Sequence, residues 1–250
     1  MEGKGFTSAG ECWKQILADA KKNVCFLKDI ERFARENTSP ATIVFGTSGW
    51  RGEVGTDFTF NNLCIVTTAI IETLKTGGAS LAAHLGVKGF DEVKRLGVIV
   101  GHDNRFLGPE FAVSVMGLLL KEGIKVYYAG ETTTPELSAA VCVLPAACSI
   151  NITPSHNPSN YAGLKFNPSD GGPAGPEITD IIEKNANRMM AEKAIIPEIK
   201  PQGFQTINTL QLYKDFIEKQ GTLNVEKIRG FVKEEDCFIC IDNVHGASRG

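Results

Sequence analysis

The feature that most constrains the fold of this chain is an alternation. Short β-branched runs take turns with stretches of helical period, and glycine stands at the joins. The runs expected as strands are Ile43–Phe45, Gly97–Val100, Lys125–Tyr128 and Cys148–Ile152; the stretches expected as helices are Asn61–Leu74, Pro109–Lys121, Pro135–Val143 and Glu177–Met190. Strand and helix in alternation predict an α/β layered fold with helices packed on a sheet; the fold class expected is a layered α/β/α domain with a mixed, mostly parallel sheet. Glycines such as Gly46, Gly49, Gly101 and Gly163 fall after these runs or in loops, where backbone must turn sharply or approach a ligand closely.

Before this pattern, apolar residues from Trp13 to Ala34 recur every three or four positions, so one long helix is expected over Cys12–Glu36, with Ser8 and Glu11 as a capping box. Thr38-Ser-Pro40 ends it, because proline disfavours helical geometry in the residue before it. After the pattern, Ala194–Thr206 loses periodicity and reads as a linker. Helices over Leu210–Gln220 and Val225–Val232 and a strand over Cys237–Asp242 follow. That is a poor core for so short a segment. The expected organisation is therefore an N-terminal helical extension (1–41), a first α/β domain (42–193), a linker (194–206) and the truncated start of a second, similar domain (207–250).

Composition narrows the function classes. Hydrophobic residues make up 42% and charged residues 22%, the balance of an ordinary globular protein. A net charge of -3 gives no electrostatic basis for a nucleic-acid partner. No apolar run approaches the roughly 20 residues that span a bilayer, so no membrane partner is expected. The first ten residues lack the pattern of a secretory signal, and a cytoplasmic location is expected. The seven cysteines are scattered through apolar segments and read as reduced core thiols. Cys237 and Cys240 have CxxC spacing but no second pair or histidine cluster, and core packing is expected there too.

The densest polar cluster is Thr153-Pro-Ser-His-Asn-Pro158, directly after the apolar run Cys148–Ile152. Two prolines stiffen such a loop, which can then present one hydroxyl, that of Ser155. Alone it would be a polar surface turn. Two further segments give it weight. In Phe45-Gly-Thr-Ser-Gly-Trp-Arg-Gly52, glycines let backbone N–H groups converge on an anion, hydroxyls donate, and Arg51 brings a planar cation. Gly163-Leu-Lys-Phe-Asn167 sets Lys165 on a short strand, ten residues after Ser155. Asp103 and Arg105 form a charged pair in a turn after a strand and read as structural.

These segments resemble the α-D-phosphohexomutase superfamily, the phosphoglucomutases and phosphomannomutases. The resemblance rests on blocks in the expected order: Phe45-GTSGWRG, Val100-GHDNR with Phe111-Ala112 after it, Thr133-TPELSAAV, and Ile152-TPSHNP leading through GLKFNPSDGGPA (Gly163 to Ala174). It covers about residues 42–190, with weaker similarity at Asp242-Asn-Val-His-Gly-Ala247. It implies an isomerase interconverting hexose 1-phosphate and hexose 6-phosphate, with Ser155 phosphorylated in the resting enzyme. It further implies a bisphosphorylated sugar intermediate, with glucose 1,6-bisphosphate as activator. Arg51 and Lys165 match the family's candidate acid and base, either being the principal one. His156 and Asn157 would position the loop or the sugar phosphate, Thr47 would contact substrate, and Mg²⁺ would bind a phosphoserine oxygen at Ser155 and three aspartates. Gly171-Gly-Pro-Ala174 and Pro154 most resemble members acting on glucose phosphate.

The chain departs from that pattern as well. It contains no run of aspartates at alternate positions for the metal. The segments that read the sugar hydroxyls are also absent, so little or no turnover is expected of these residues by themselves. Trp50, at a position usually aliphatic in the family, reads as a packing residue. The alternative is a non-catalytic module of the same fold that binds sugar phosphate or a partner. Neither the particular hexose nor the oligomeric state is legible.

Overall fold

The computed structural model describes residues 6–46, 49–221, 223–235, 237–243 and 246–248. The N-terminal segment is a helical hairpin rather than one helix. It comprises α1 (Ala9–Ala18), α2 (Ala20–Asn23), a 3₁₀ turn (Val24–Phe26) and α3 (Leu27–Glu36), with α1 packed against α3. The break falls at Asp19, whose non-helical backbone closes α1 while its carboxylate caps α2 at Lys22 N. At the first cap Ser8 Oγ accepts from Glu11 N, as expected. The Glu11 carboxylate reaches back to Thr7 N and Oγ1. Trp13 Nε1 donates to Val54 O at 2.8 Å and pins the hairpin to the sheet domain.

The expected strand Ile43–Phe45 is not one. Its backbone bonds to helix side chains instead of a sheet: Ile43 N and O pair with Asn187 Oδ1 and Nδ2, and Phe45 N donates to Glu183 Oε2. The strand lies further on, β1 (Gly49–Glu53). There follow α4 (Phe60–Thr76), α5 (Gly78–His84), α6 (Phe90–Leu96), β2 (Val98–His102), α7 (Gly108–Lys121) and β3 (Val126–Glu131). Next come α8 (Thr134–Val143), β4 (Cys148–Ile152), β5 (Tyr161–Pro168), α9 (Pro176–Ala191), β6 (Gln205–Thr206), α10 (Thr209–Gln220) and α11 (Val225–Glu234). The four helices expected across the α/β region appear as α4, α7, α8 and α9, each within a residue or two at its ends.

The sheet runs β1-β5-β4-β2-β3-β6. β4, β2, β3 and β6 pair parallel, whereas β5 is antiparallel to both β4 and β1. One face, with Trp50, Val100, Ile150, Ile152, Leu164 and Phe166, packs under α4, α7 and α9 in the main core. The other face, with Ile99 and Tyr127, packs under α8 in a smaller core, and α8 carries α10. Helices on both sides make this the layered α/β/α fold with a mixed sheet. Trp50 packs as expected, stacked on Phe58 at 4.6 Å.

Residues 194–204 run without helix or strand along the domain, with Ala194 O and Ile196 N bonded to the Asn61 amide, before β6 pairs with β3. The expected strand Cys237–Asp242 does not form; Phe238 and Ile241 are 93% and 78% exposed, and no strand among the described residues pairs with them. Cysteines divide in the same way. Cys12, Cys64 and Cys148 are buried, the last pushed up to about 12 by burial alone. Cys25, Cys142, Cys237 and Cys240 are exposed, against the expectation of core thiols. Among the described residues no helix is long and apolar enough to cross a membrane.

Candidate active site

The loops after β2, β3 and β4 all lie at the carboxyl ends of parallel strands, the edge where open α/β sheets bind ligands. They supply Asp103–Arg105, Thr132–Thr134 and Thr153–Asn160, and a cleft of about 600 Å³ runs to Ser155 between these loops and the N-terminal hairpin, whose Trp13, Ile16 and Leu27 line it.

Ser155 stands at φ 62, the left-handed region that costs an L-residue about 1–2 kcal/mol. Its side chain is exposed. The loop around it is held from beneath. Thr153 N donates to Gly163 O, Thr153 Oγ1 donates to the Asp103 carboxylate at 2.7 Å, and Ser155 N donates to Thr153 Oγ1 at 3.1 Å. The Arg105 guanidinium crosses the loop, donating to the carbonyls of Ser155, Asn157, Pro158 and Tyr161 while pairing with Asp103. Asp103 and Arg105 are thus structural, as expected, but what they structure is the serine loop. Their acceptors are backbone carbonyls, which leave no mark on residue type, and that is why the sequence shows only a charged turn.

The expected cations arrive from the sheet edge. Arg51 on β1 opposes Gly163 on β5, and Gly49 opposes Lys165, so Arg51 and Lys165 are diagonal neighbours on one face. Asn151 of β4 opposes Lys165 on its other side and shares that face. Arg51 Nε donates to Pro154 O at 3.2 Å, which fastens β1 to the residue before Ser155. This close approach needs Gly163: a Cβ there would stand 2.7 Å from Thr153 O and 2.9 Å from Trp50 O. Burial, and after it the Arg51 charge, hold the Lys165 ammonium below its ordinary range.

His156 is exposed, with Nδ1 3.5 Å from Ser155 Oγ. Asn157 contributes its carbonyl to the Arg105 clamp. Thr47 lies outside the described residues. The structure therefore joins Ser155, His156 and Asn157 in one loop and ties Arg51 to it, with Lys165 beside Arg51. The cleft itself reaches Ser155 from the other side, past Asp103, Thr132 and Asn151. No motif singles out Asn151 in the sequence; it is buried, with Nδ2 on Thr134 Oγ1 and Oδ1 unpartnered.

The described residues do not make up a Mg²⁺ site. No group of three or more His, Cys, Asp or Glu among the described residues is placed to hold a metal. The Asp103 carboxylate is already engaged by Thr153 Oγ1, Arg105 N and Arg105 Nε. A serine side chain offers one oxygen, where Mg²⁺ takes about six, some from water.

Comparison with known proteins accords with the motifs. Residues 42–193 match the family model for the phosphoglucomutase/phosphomannomutase α/β/α domain I. A phosphoglucomutase of Staphylococcus epidermidis is 28% identical over 83% of this chain and 36% of its own length. A phosphoglucosamine mutase of Leuconostoc mesenteroides is 29% identical over 82% of this chain and 41% of its own. A solved Thermus thermophilus protein assigned as a phosphomannomutase superposes with a TM-score of 0.58, at 32% identity over 77% of this chain and 38% of that one. The open form of the Paramecium phosphoglucomutase parafusin gives 0.66 at 22% identity over 84% of this chain and 40% of that one, a likeness of fold. The chain spans well under half the length of each of these relatives. A family model that covers 42–193, laid over a site built from the same motifs, makes this chain a member of the phosphoglucomutase/phosphomannomutase family.

Proposed function

We propose that this chain carries the phosphoserine half of a hexose phosphate mutase acting between the 1- and 6-phosphates, with glucose phosphate the favoured substrate and Ser155 the phosphoryl carrier. The observation that carries this reading is an exposed serine in left-handed conformation, held in a clamped loop to which Arg51 is bonded, with Lys165 diagonal to Arg51 on the sheet. In the transfer, the free hydroxyl oxygen of the sugar phosphate attacks phosphorus in line and the bond from phosphorus to Ser155 Oγ breaks. The attacking hydroxyl loses its proton to a base, and Ser155 Oγ takes one up. The bisphosphate then turns, and the reverse step returns the other phosphoryl group to Ser155 with no net hydrolysis.

Lys165 suits the base. Its lowered pKa raises the share of neutral amine at a given pH, whereas a guanidinium does not deprotonate and serves as fixed charge. Arg51, diagonal to it, would neutralise the equatorial oxygens, which is where phosphoryl transfer needs help. His156 and Asn157 would orient the sugar phosphate from the loop, with Thr47 from the segment before β1. Mg²⁺ belongs to the family's chemistry, but these residues leave its other ligands unsupplied. Full turnover is accordingly proposed to need an aspartate-rich segment that this sequence does not contain. The proposed setting is cytoplasmic, with residues 42–193 as the catalytic domain and 207–250 the start of a second.

Incubation with glucose 1,6-bisphosphate, with and without Mg²⁺, followed by intact mass and phosphopeptide mapping, tests this directly. One phosphate on Ser155 is expected, and none in Ser155→Ala. Binding of glucose phosphate without any phosphorylation of Ser155, in a protein extended through the metal segment as well, would favour a non-catalytic sugar-phosphate module.

A further inference from the structure

Arg105 takes no part in the chemistry proposed above, yet every nitrogen of its guanidinium is occupied. Nη2 donates to Ser155 O at 3.3 Å and Asn157 O at 2.6 Å, Nη1 donates to Pro158 O and Tyr161 O, and Nε faces Asp103 Oδ2 at 3.3 Å. A planar fork so filled has no donor to spare for a phosphate. Its side chain is 20% exposed and that of Asp103 12%. The second tie to the serine runs through Asp103, whose Oδ2 accepts from Thr153 Oγ1, which in turn accepts from Ser155 N. The N–H and the C=O of Ser155 are thus both tethered to one ion pair, by separate routes. Fixing both peptide groups of a residue fixes its φ and ψ, and here the conformation held is one that a slack loop would leave.

We infer that Asp103 and Arg105 are positioning residues that hold Ser155 in its left-handed conformation, Arg105 acting by the geometry of its fork and not by its charge. The consequence for catalysis rests on the phosphoserine reading; the restraint on the loop does not. A lysine keeps the charge but gathers its donors on one nitrogen, so it cannot span four carbonyls of a loop.

The test compares wild type, Arg105→Lys, Arg105→Met and the surface control Arg95→Lys, all in the full chain. Two quantities are read: hydrogen exchange of residues 154–161, and the rate at which glucose 1,6-bisphosphate phosphorylates Ser155. Both Arg105 variants should raise exchange in the loop by about tenfold or more, the equivalent of one lost charge-assisted hydrogen bond. Protection in β2 and β4 should persist. Phosphorylation should slow by about the same factor, with Lys rescuing no better than Met and Arg95→Lys matching wild type. Wild-type exchange and phosphorylation in Arg105→Lys would overturn the inference, since charge alone would then suffice. If Arg105→Met loses protection in β2 and β4 as well, Thr153→Val replaces it. That variant cuts only the Asp103 route, and unchanged loop exchange in it would equally overturn the inference. Absence of phosphate on wild-type Ser155, both in this chain and in a protein extended through the metal segment, with loop exchange behaving as expected, would sink the phosphoserine reading and leave the clamp standing.

Discussion

Ser155 holds a conformation that suits glycine better than serine, so stability and function should part company there. Ser155→Gly removes the Cβ that makes φ 62 costly and is expected to leave the protein as stable or more stable by about 1 kcal/mol in urea denaturation. It should accept no phosphate. Ser155→Ala should likewise accept none but show no gain. A clear loss of stability in the glycine variant would mean that the hydroxyl, not the clamp, orders the loop. Lys165 sets a pH dependence of definite sign. Its folded pKa lies below the ordinary 10.5, so between the two values the unfolded chain keeps a proton that the folded chain has released. Stability from this group is present above 10.5 and is lost as pH falls through the lowered value. Transfer from phosphoserine should rise with pH across the same interval as neutral amine accumulates. Lys165→Met should flatten that rise and reduce the rate of transfer more than the affinity for sugar phosphate. Equal loss of both would reduce Lys165 to a binding residue.

At the scale of elements, the junction of β1, β5 and the serine loop is where backbone packs on backbone. Gly163→Ala would press a methyl group against Thr153 O and Trp50 O, neither of which can swing aside as a side-chain end would. A cost of about 2–3 kcal/mol is expected, with a fall in Tm and faster exchange in the loop; a variant as stable as wild type would mean that β1 is free to shift. The same junction shows what the sequence could and could not say. β4 is legible because Cys148–Ile152 is a continuous buried run, and α7 and α8 because proline stands in the first turn of each. β1 is not, because Gly-Trp-Arg-Gly-Glu has poor β propensity and becomes a strand through close approach to β5. Ile43–Phe45 misleads in the opposite sense: β-branched and apolar, it satisfies its backbone on Asn187 and Glu183 of α9. Helices α5 and α6 are too short to announce themselves by periodicity. Ser155, Arg51 and Lys165 are legible through their motifs, but the clamp that unites Asp103 with the loop depends on carbonyl positions set only by the fold.

For the whole molecule, the balance of covered and uncovered surface shifts sharply along the chain. The sheet domain buries its aromatic and aliphatic side chains almost completely, with Phe58, Phe111 and Ile150 at 0% exposure. Beyond α10, which rests on α8, the apolar residues lie open: Ile228, Phe231, Phe238 and Ile241 are 49%, 58%, 93% and 78% exposed. Two of these belong to a β-prone run that forms no strand. Covering each such side chain contributes roughly 1.5–3 kcal/mol, so a few together offset much of the entropy lost on association. The chain should therefore self-associate at about 10–100 µM, as read by size exclusion with light scattering. Phe231→Ser, Phe238→Ser and Ile241→Ser combined should return the chain to monomer, while the melting of the sheet domain stays where it was. That last result is the discriminating one, because association through the sheet domain's own surface would survive these substitutions. A wild-type chain that stays monomeric at about 100 µM would mean that its own residues cover this apolar surface in solution.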